Sequence, residues 1–365
     1  MKNLCLLIVL SFVFLLIGCK STKDTDQARK TYNPENVNSD FRIMFYNVEN
    51  LFDTENDPYK NDDEFTPDTG RYWTKTRYNE KLRNIYKVIV AVGGWDLPQI
   101  VGLSEVENLK VLKDLINYTP LYKSDYKIIH YDSPDARGID VALLYRENYF
   151  SVISHKPIPV VWPKHIGTGT TRDILYVCGV TNLEDTLHVF VNHWPSRWGG
   201  QIETEEKRMH VAKLLKHSTD SIFKINKKAN IVVMGDLNDH PTDRSLTESL
   251  QAQTNFDKIK SNKLYNLSYY LQVEKKLGTH KHQDQWGIID QIIVSGALLS
   301  GEGKIYTTLD DAHVFNEDFL LETDQKFTGK KVKRTYIGFK YHGGYSDHLP
   351  TYVDLKQNKD KVASE

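Results

Sequence analysis

Two short polar motifs in this sequence follow or precede apolar segments and carry side chains suited to phosphate chemistry. Gly-Asp-Leu-Asn at residues 235–238 comes directly after the apolar residues 231–234, and Ser-Asp-His occupies residues 346–348. Carboxylate and amide oxygens are the ligands that hard divalent cations prefer, and an imidazole exchanges a proton near neutral pH. Loops at strand ends bring such side chains together. The pair of motifs therefore indicates a metal-dependent phosphoesterase.

Further polar residues stand at or near the ends of other apolar runs. Any one of them is as consistent with a cap, a turn or a solvated acid as with catalysis. Their combination and their order along the chain favour a shared site. These residues are Asn47, Glu105, His193 in Asn-His-Trp-Pro, and Asp290 in Ile-Asp-Gln-Ile.

Short β-branched and apolar runs alternate with longer segments in which apolar residues recur every three or four positions. The first pattern predicts strands and the second predicts amphipathic helices, so the fold class is α/β. No Pro-, Gly- or Ser-rich linker and no internal repeat divides residues 41–355, which we therefore interpret as one domain. The predicted strands are 42–46, 99–103, 141–145, 187–191, 231–234 and 291–294, and the predicted helices are 78–92, 108–116 and 204–217.

The N-terminal residues have the pattern of an export signal. Residues 1–18 combine Lys2 with an apolar run shorter than the roughly 20 residues of a membrane-spanning helix. The following Cys19 completes Leu-Ile-Gly-Cys, which resembles a bacterial lipobox and predicts lipidation of that cysteine. Residues 19–40 predict a polar tether, and residues 356–365 a flexible tail. We expect an exported protein, anchored by its lipid alone to a bacterial membrane at the periplasmic face or the cell surface.

Charge and cysteine content restrict the remaining classes. The formal net charge is −1, so the whole chain lacks the basic signature of a tight, sequence-tolerant nucleic-acid binder. Only Cys178 of the three cysteines lies in the predicted domain, which excludes an internal disulfide. No Cys or His cluster has zinc-ligand spacing. The hydrophobic core must therefore stabilise the domain.

The order of the motifs resembles that of the endonuclease/exonuclease/phosphatase superfamily, across about residues 41–355. This superfamily includes DNases, apurinic endonucleases, neutral sphingomyelinases and inositol polyphosphate 5-phosphatases. The resemblance implies a four-layer α/β/β/α sandwich, two packed and mostly antiparallel sheets flanked by helices, with the site at one edge. It also implies a bound Mg²⁺, which Mn²⁺ can replace, with Glu105 as the principal ligand and Asn47 and Asp347 completing or supporting the shell.

The motifs also predict how protons move. Asp290 is expected to accept a hydrogen bond from His348, which fixes the imidazole tautomer and raises its basicity. Asp236, with Asn238 beside it, is the other candidate for orienting or deprotonating the attacking water. The sequence leaves open which of the two is the base. His193 is expected on the opposite side of the phosphate, where it either hydrogen-bonds an oxygen or protonates the leaving group.

Two arginines are candidates for binding the substrate phosphate, because a guanidinium matches phosphate geometry. Arg137 precedes a predicted strand, and Arg197 follows His193 closely. The alternative for each is a surface ion pair, with Asp135 or Asp140 in the case of Arg137.

Two segments outside the motifs are candidates for deciding the substrate. The first insertion, residues 53–77, mixes acidic and aromatic residues and is interpreted as a solvated loop, with a lid or a calcium loop as alternatives. The second insertion, residues 326–345, interleaves lysine and arginine with aromatic residues. Such a segment either binds a polynucleotide by its phosphates and stacked bases or forms an exposed hairpin.

The sequence therefore predicts a Mg²⁺-dependent phosphodiester hydrolase, a monomeric endonuclease-like enzyme that cleaves nucleic acid by metal-assisted attack of water. One alternative keeps the chemistry and changes the substrate to a phospholipid or a small phosphate ester, which the near-neutral charge and the membrane tether favour. The other alternative is a catalytically inactive binding lipoprotein. It ranks last because the candidate catalytic residues are all retained.

Overall fold

The computed structural model describes residues 41–362. The predicted signal peptide, the tether and the lipidation site Cys19 lie outside these residues. The predicted flexible tail from residue 356 starts too early, because Lys356 and Gln357 still belong to the last strand and Lys359–Val362 form a short helix. The domain thus extends slightly beyond its predicted end at residue 355.

The described residues form strands and helices in an irregular alternation, and every strand and helix predicted from the sequence is present. The first strand and the third helix run further than predicted, to Leu51 and Ile225. The strands are β1 (Phe41–Leu51), β2 (Ile100–Val106), β3 (Tyr126–His130), β4 (Asp140–Arg146), β5 (Phe150–Ile158), β6 (Ile174–Thr181), β7 (Thr186–His193), β8 (Asn230–Asp236), β9 (Leu264–Asn266), β10 (His280–His282), β11 (Gln285–Gly287), β12 (Asp290–Ser295), β13 (Ile305–Tyr306), β14 (Ala312–Val314), β15 (Leu321–Thr323), β16 (Lys330–Val332), β17 (Tyr336–Ile337), β18 (Lys340–Tyr341) and β19 (Thr351–Gln357). The helices are α1 (Lys75–Gly93), α2 (Leu109–Asn117), α3 (Gln201–Ile225), α4 (Leu267–Val273), α5 (Gly296–Ser300) and α6 (Lys359–Val362).

Two large sheets organise these strands. One has the order β13-β19-β1-β2-β4-β3, with β14 also paired to β19, and the other has the order β5-β6-β7-β8-β12-β9. The pairs β1–β2 and β7–β8 are parallel, and the remaining pairs in these sheets are antiparallel. Helices α1 and α2 pack beside the first sheet and α3 beside the second. The predicted four-layer α/β/β/α sandwich is confirmed.

The packing of strand β8 explains why its sequence is a continuous apolar run. Val232 and Met234 belong to the core between the two sheets, whereas Ile231 and Val233 belong to the core under α3. Both faces of the strand are covered, so alternation between apolar and polar residues is lost. The strand therefore holds the residues that follow it in a rigid position.

Capping residues set the bounds of α1. The hydroxyl of Thr74 accepts a hydrogen bond from the backbone N–H of Arg77, which satisfies a donor at the helix start. The helix ends at Gly94, whose φ of 68° lies in the left-handed region that favours glycine. Of the helices between residues 41 and 362, none is long and apolar enough to cross a membrane.

The first insertion, predicted to be a solvated loop, is exposed over much of its length and is anchored to the domain by aromatic residues. Trp73 is fully buried, and its indole N–H donates to the carbonyl of Phe52 over 2.9 Å. The ring of Phe65 stacks on that of Phe52 with centroids 4.2 Å apart. Apolar burial of this size fixes the segment because a mobile loop would lose it.

The second insertion is also largely packed or paired. Tyr336 is buried, and its hydroxyl donates to the carbonyl of Arg71 in the first insertion. Lys330 and Lys331 form ion pairs with Asp318 and Glu322. The segment therefore does not present all of its basic and aromatic residues to solvent as one continuous surface.

The two ends of the domain lie away from the ends of the strands that carry the polar motifs. Phe41 at the start of β1 pairs with Leu355 in β19, which runs antiparallel to it. Asn47 lies six residues further along β1, or about 20 Å at the rise of an extended strand.

Candidate active site

The sheet topology brings the polar motifs to one edge of the sandwich. Because β1 and β2 are parallel, as are β7 and β8, the C-terminal ends of each pair lie side by side. These ends carry Asn47, Glu105, His193 and Asp236. Strand β12 is antiparallel to β8 and places Asp290 directly opposite Asp236.

The serine of Ser-Asp-His fixes the turn that leads into β19. The buried hydroxyl of Ser346 donates to the carbonyl of Asn47 over 2.7 Å and accepts from the backbone N–H of His348. Since β19 runs antiparallel to β1, this turn lies beside the C-terminal part of β1. Both Asp347 and His348 therefore reach the same edge as the other motifs.

Left-handed backbone conformations occur at several of these strand ends. Glu105 has a φ of 62° and Asn238 a φ of 52°. Asparagine adopts this region fairly often, whereas glutamate rarely does. The register of β2 shifts next to Glu105, between Ser104 and Val106. Such bulges re-aim a side chain, and here the bulge turns Glu105 toward the motifs.

The predicted contact between Asp290 and His348 is present. The Asp290 carboxylate lies 2.7 Å from His348 Nδ1, which as a donor leaves Nε2 free to face the site. Burial by itself lowers the pKa of His348, but Asp290, Asp236 and Asp347 outweigh this effect and raise the pKa well above its ordinary value. The surrounding carboxylates therefore favour the protonated imidazolium form of His348.

Asp236 lies at the centre of the cluster. Its Oδ2 is 3.1 Å from Asn47 Nδ2, 3.6 Å from His193 Nε2 and 3.9 Å from His348 Nε2. Its Oδ1 accepts from the backbone N–H of Asn238. Burial is the largest effect on Asp236 and raises its pKa to about 7, against the opposing charge of His348. The group can thus exchange a proton near neutral pH.

His193 is placed to donate a hydrogen bond. Its Nε2 is 3.8 Å from Glu105 Oε1, on the side of Asp236 away from Asp290. Burial, followed by the charges of Arg172 and Arg137, lowers its pKa well below the ordinary value. A neutral imidazole favours hydrogen bonding to a phosphate oxygen over protonating a leaving group, the two roles that the sequence left open.

The residues predicted to bind metal offer oxygen donors that fit Mg²⁺. Glu105 Oε2 accepts from the backbone N–H of Asn50, and within residues 41–362 Oε1 accepts no hydrogen bond. Asn47 Oδ1 accepts from the backbone N–H of Glu49 and its Nδ2 faces Asp236, so its role as a metal ligand stays a prediction. Asp347 keeps a pKa of about 2 because the charges of Arg334 and His348 outweigh its burial. Hard oxygen donors without thiolate suit Mg²⁺ or Mn²⁺.

Two closely spaced groups of ligand-type atoms share His348. One group joins it to His280 and Asp347, and the other joins it to Asp236 and Asp290. We interpret the second group as a proton-transfer arrangement, because His348 is already hydrogen-bonded to Asp290. Neither group contains Glu105, so its role as principal metal ligand stays a prediction.

Two residues at the site, His280 and Arg172, were missed in the sequence, and Arg334 was predicted only as part of the basic second insertion. Arg334 of the second insertion donates to Asp347 over 2.8 Å and to Glu49 over 3.0 Å. The ring of His280 packs on that of His348 with centroids 4.9 Å apart, and burial lowers its pKa to about 4. Arg172 is buried and donates to the carbonyl of Trp194.

The two predicted phosphate-binding arginines lie in different surroundings. The Arg197 side chain donates to the Asn238 carbonyl over 2.7 Å and pairs with Asp239 and Asp243, so it supports the loop after β8. Arg137 lies next to Asp135, with its Nε 3.7 Å from the carboxylate, and its side chain is 47% exposed. Contact of either arginine with substrate stays a prediction.

Gln291 links the loop after β8 to the second sheet, and replacing it by leucine is expected to destabilise the domain. Its buried amide donates to the Asp239 carbonyl and accepts from Asn266 over 2.6 Å. Gln291→Leu leaves both groups unpaired, and we expect a loss of roughly 1–3 kcal/mol in the free energy of unfolding. Urea unfolding measures this, with the exposed Gln285→Leu as control. Equal stability of the two variants would contradict the proposed link.

The fold and the site together define a hydrolase of phosphate esters. Neutral and charged imidazoles, an acid with a shifted pKa and oxygen ligands converge at the edge of an α/β/β/α sandwich. The chain belongs to the Endonuclease/Exonuclease/phosphatase family, whose sequence profile matches residues 42–357. This confirms the family predicted from the motifs. No curated protein sequence matches the chain.

Solved structures of low sequence identity share the fold. The human Nocturnin catalytic domain with a bound sulfate anion is 16% identical, with a TM-score of 0.52 over 87% of this chain and 94% of that one. D. rerio TDP2 complexed with a single strand DNA product is 12% identical, with a TM-score of 0.52 over 87% and 100%. Mannosyl-6-phosphatase of Bacteroides thetaiotaomicron is 16% identical, with a TM-score of 0.50 over 86% and 99%.

Proposed function

We propose that the protein is a Mg²⁺-dependent phosphodiesterase that cleaves nucleic acid by attack of water. The observation that carries this proposal is the position of Asp236 between His193 and His348, with Asp290 behind His348. Glu105 and Asp347 supply carboxylates for the cation beside this group. A bound cation would neutralise charge on the phosphate and favour a hydroxide nucleophile.

Asp236 is the base in this proposal. It has a carboxylate oxygen facing the site, whereas His348 is protonated and cannot accept another proton. The imidazolium of His348 instead donates to a phosphate oxygen, where it stabilises the negative charge that develops as water attacks. His193 donates to another phosphate oxygen from the far side of Asp236. Asn238, whose amide donates to the Trp194 carbonyl, fixes the loop that carries Asp236.

Nucleic acid is the preferred substrate because a basic and aromatic segment borders the site. Arg334 reaches Asp347, and Phe339 and Lys340 at the tip of the second insertion are exposed. Stacking on an aromatic ring and pairing with a cation are the general means of binding a single strand. The TDP2 of similar fold is complexed with a single strand DNA product.

A small phosphate ester is the second candidate. Burial of Tyr336 and the ion pairs of Lys330 and Lys331 reduce the basic, aromatic surface available to a long strand. A mannosyl-6-phosphatase has a similar fold. This candidate keeps the roles of Asp236, His348 and the cation unchanged.

A substrate panel separates the candidates. Plasmid DNA, single-stranded DNA, RNA, phospholipid vesicles, a sugar phosphate and bis-p-nitrophenyl phosphate are incubated with the purified domain, with Mg²⁺ and with EDTA. EDTA-sensitive cleavage of DNA or RNA supports the proposal. If only a small ester or a lipid is hydrolysed, that compound class replaces nucleic acid as the proposed substrate. If no compound of the panel is hydrolysed, the result contradicts an enzymatic role.

We also propose that the protein is exported, lipidated at Cys19 and monomeric. Cys19→Ala is expected to abolish acylation, because only a thiol accepts the lipid, and to move the protein from the detergent phase to the aqueous phase of a detergent extraction. Mass spectrometry of the N-terminal peptide measures the lipid directly. A wild-type protein without lipid would contradict the anchor and leave the hydrolase unaffected.

A further inference from the structure

A cavity of about 270 Å³ lies where the two insertions meet, next to the candidate active site. The first insertion contributes Phe65 and Arg71, and the second contributes Arg334 and Tyr336. Glu49, near the end of β1, closes the inner side. This volume lies just below the usual range for ligand sites and suits one small charged or polar group.

Contacts between the insertions hold this cavity in shape. Arg71 donates to the Gly338 carbonyl over 2.9 Å, and its guanidinium lies 5.2 Å from the ring centroids of both Tyr336 and Phe339. On the inner side, buried Lys81 donates to Thr335 over 2.6 Å. The walls are therefore preformed, which lowers the entropic cost of binding.

The two arginines of the cavity keep donors for a ligand. Arg71 uses Nε for Glu64 and one terminal nitrogen for Gly338, and Arg334 uses Nε and one terminal nitrogen for Glu49 and Asp347. The other terminal nitrogen of each has no partner in the described part of the chain. Glu64, whose side chain is 55% exposed, forms a surface ion pair with Arg71, and Glu49 and Asp347 pair with Arg334. A ligand would therefore be bound by the remaining N–H donors of the two guanidinium groups and not by an excess of positive charge.

Arg334 connects the cavity to the reaction centre. Its guanidinium contacts Asp347, whose other oxygen is 3.8 Å from His348 Nε2. From the other side, the backbone of Asn50 lines the cavity and donates to Glu105. A group bound in the cavity would thus be attached to a substrate whose reacting phosphate lies at His348 and Glu105.

We propose that this cavity is a subsite for a second phosphate of the substrate, one that is not hydrolysed, bound by Arg71 and Arg334. Guanidinium donors in a preformed site are the side chains that recognise phosphate best. The second phosphate is either the neighbouring phosphate of a nucleic-acid strand or a further phosphate on a small ester. This inference rests on the proposed function and specifies its substrate class.

Arg71→Gln tests the subsite without touching the reaction centre, since Arg71 contacts none of the candidate catalytic residues. Two substrates that differ by one phosphate are compared: the p-nitrophenyl ester of thymidine 5′-phosphate, with and without a 3′-phosphate. We expect kcat/KM for the 3′-phosphorylated ester to fall about tenfold or more, and that for the other ester to stay within about twofold. Arg71→Lys keeps the positive charge but loses the paired N–H donors of the guanidinium. Its kcat/KM for the 3′-phosphorylated ester should therefore lie between those of the wild type and Arg71→Gln.

Controls separate binding from folding. Arg83→Gln, at an exposed position of α1, should leave kcat/KM for both esters unchanged. A five-nucleotide single strand forms the second arm: loss of activity on both the 3′-phosphorylated ester and the strand assigns the subsite to a strand phosphate, and loss on the 3′-phosphorylated ester alone assigns it to a small ester. Equal effects of Arg71→Gln on the two esters would overturn the proposal.

A binding experiment tests the subsite even if the proposed hydrolase function is wrong. If the wild-type protein cleaves no substrate, the function is wrong and the subsite is tested by binding of inorganic pyrophosphate in metal-free buffer. Pyrophosphate should raise the Tm of the wild type and of His348→Ala, and raise that of Arg71→Gln much less. Equal rises in all three proteins would show that the cavity does not bind phosphate.

Discussion

His348→Ala is expected to lower kcat for phosphoester hydrolysis by roughly 10²- to 10⁴-fold while KM changes little, because the imidazolium acts on charge that develops only in the transition state. Asp290→Asn should lower kcat in the same direction, since the pair is joined over 2.7 Å and the amide neither favours the charged ring nor fixes its tautomer. Steady-state kinetics with the best substrate of the panel measures both effects.

The matched control for these variants is His217→Ala, a substitution at an exposed position of α3. It removes an imidazole of the same size and should leave kcat unchanged. Circular dichroism distinguishes a folded, inactive His348→Ala from an unfolded one. A folded His348→Ala protein with wild-type kcat would exclude this histidine from the reaction.

Glu105→Gln is expected to raise the Mg²⁺ concentration for half-maximal activity by about 100-fold or more, because it replaces the charge of the principal predicted ligand with a neutral amide. A second readout needs no substrate. At a Mg²⁺ concentration of about 100 times the Kd, bound metal should stabilise the wild-type protein by about 2.7 kcal/mol. This stabilisation should disappear in Glu105→Gln and is measured by thermal unfolding with Mg²⁺ and with EDTA.

The control for this prediction is Glu206→Gln, at an exposed position of α3 that contributes nothing to the site. It removes the same charge and should leave the response to Mg²⁺ unchanged. If Glu105→Gln responds to Mg²⁺ as the wild type does, another group binds the metal. The cluster of His280, Asp347 and His348 would then be the next candidate.

The sequence predicted the strands and helices that are recognisable from the pattern of neighbouring residues in the chain. Strand β8 was found because burial on both faces leaves an unbroken apolar run, and α1 was found because one face is apolar. Several strands of the two large sheets were not predicted, among them β3, β5, β6 and β19, and β5 is the case that exposure explains. It lies at the edge of its sheet, and much of it is exposed, so its sequence carries no continuous apolar signal.

The same reasoning explains which site residues were found. Asp236 and His348 lie in short motifs directly beside strands, so their neighbours in sequence signal their position. Arg334, His280 and Arg172 reach the site through loops and a hairpin that tertiary packing brings together. No local pattern distinguishes them from surface residues, and the basic composition around Arg334 was the one available signal.

The antiparallel pairing of Phe41 with Leu355 has a practical consequence for handling the enzyme. Both ends of the domain leave at the pole opposite the catalytic edge, about 20 Å from Asn47 along β1. A purification tag, a bead or a fusion partner joined at either end is therefore remote from the candidate active site. An immobilised preparation should work on long substrates as readily as on short ones.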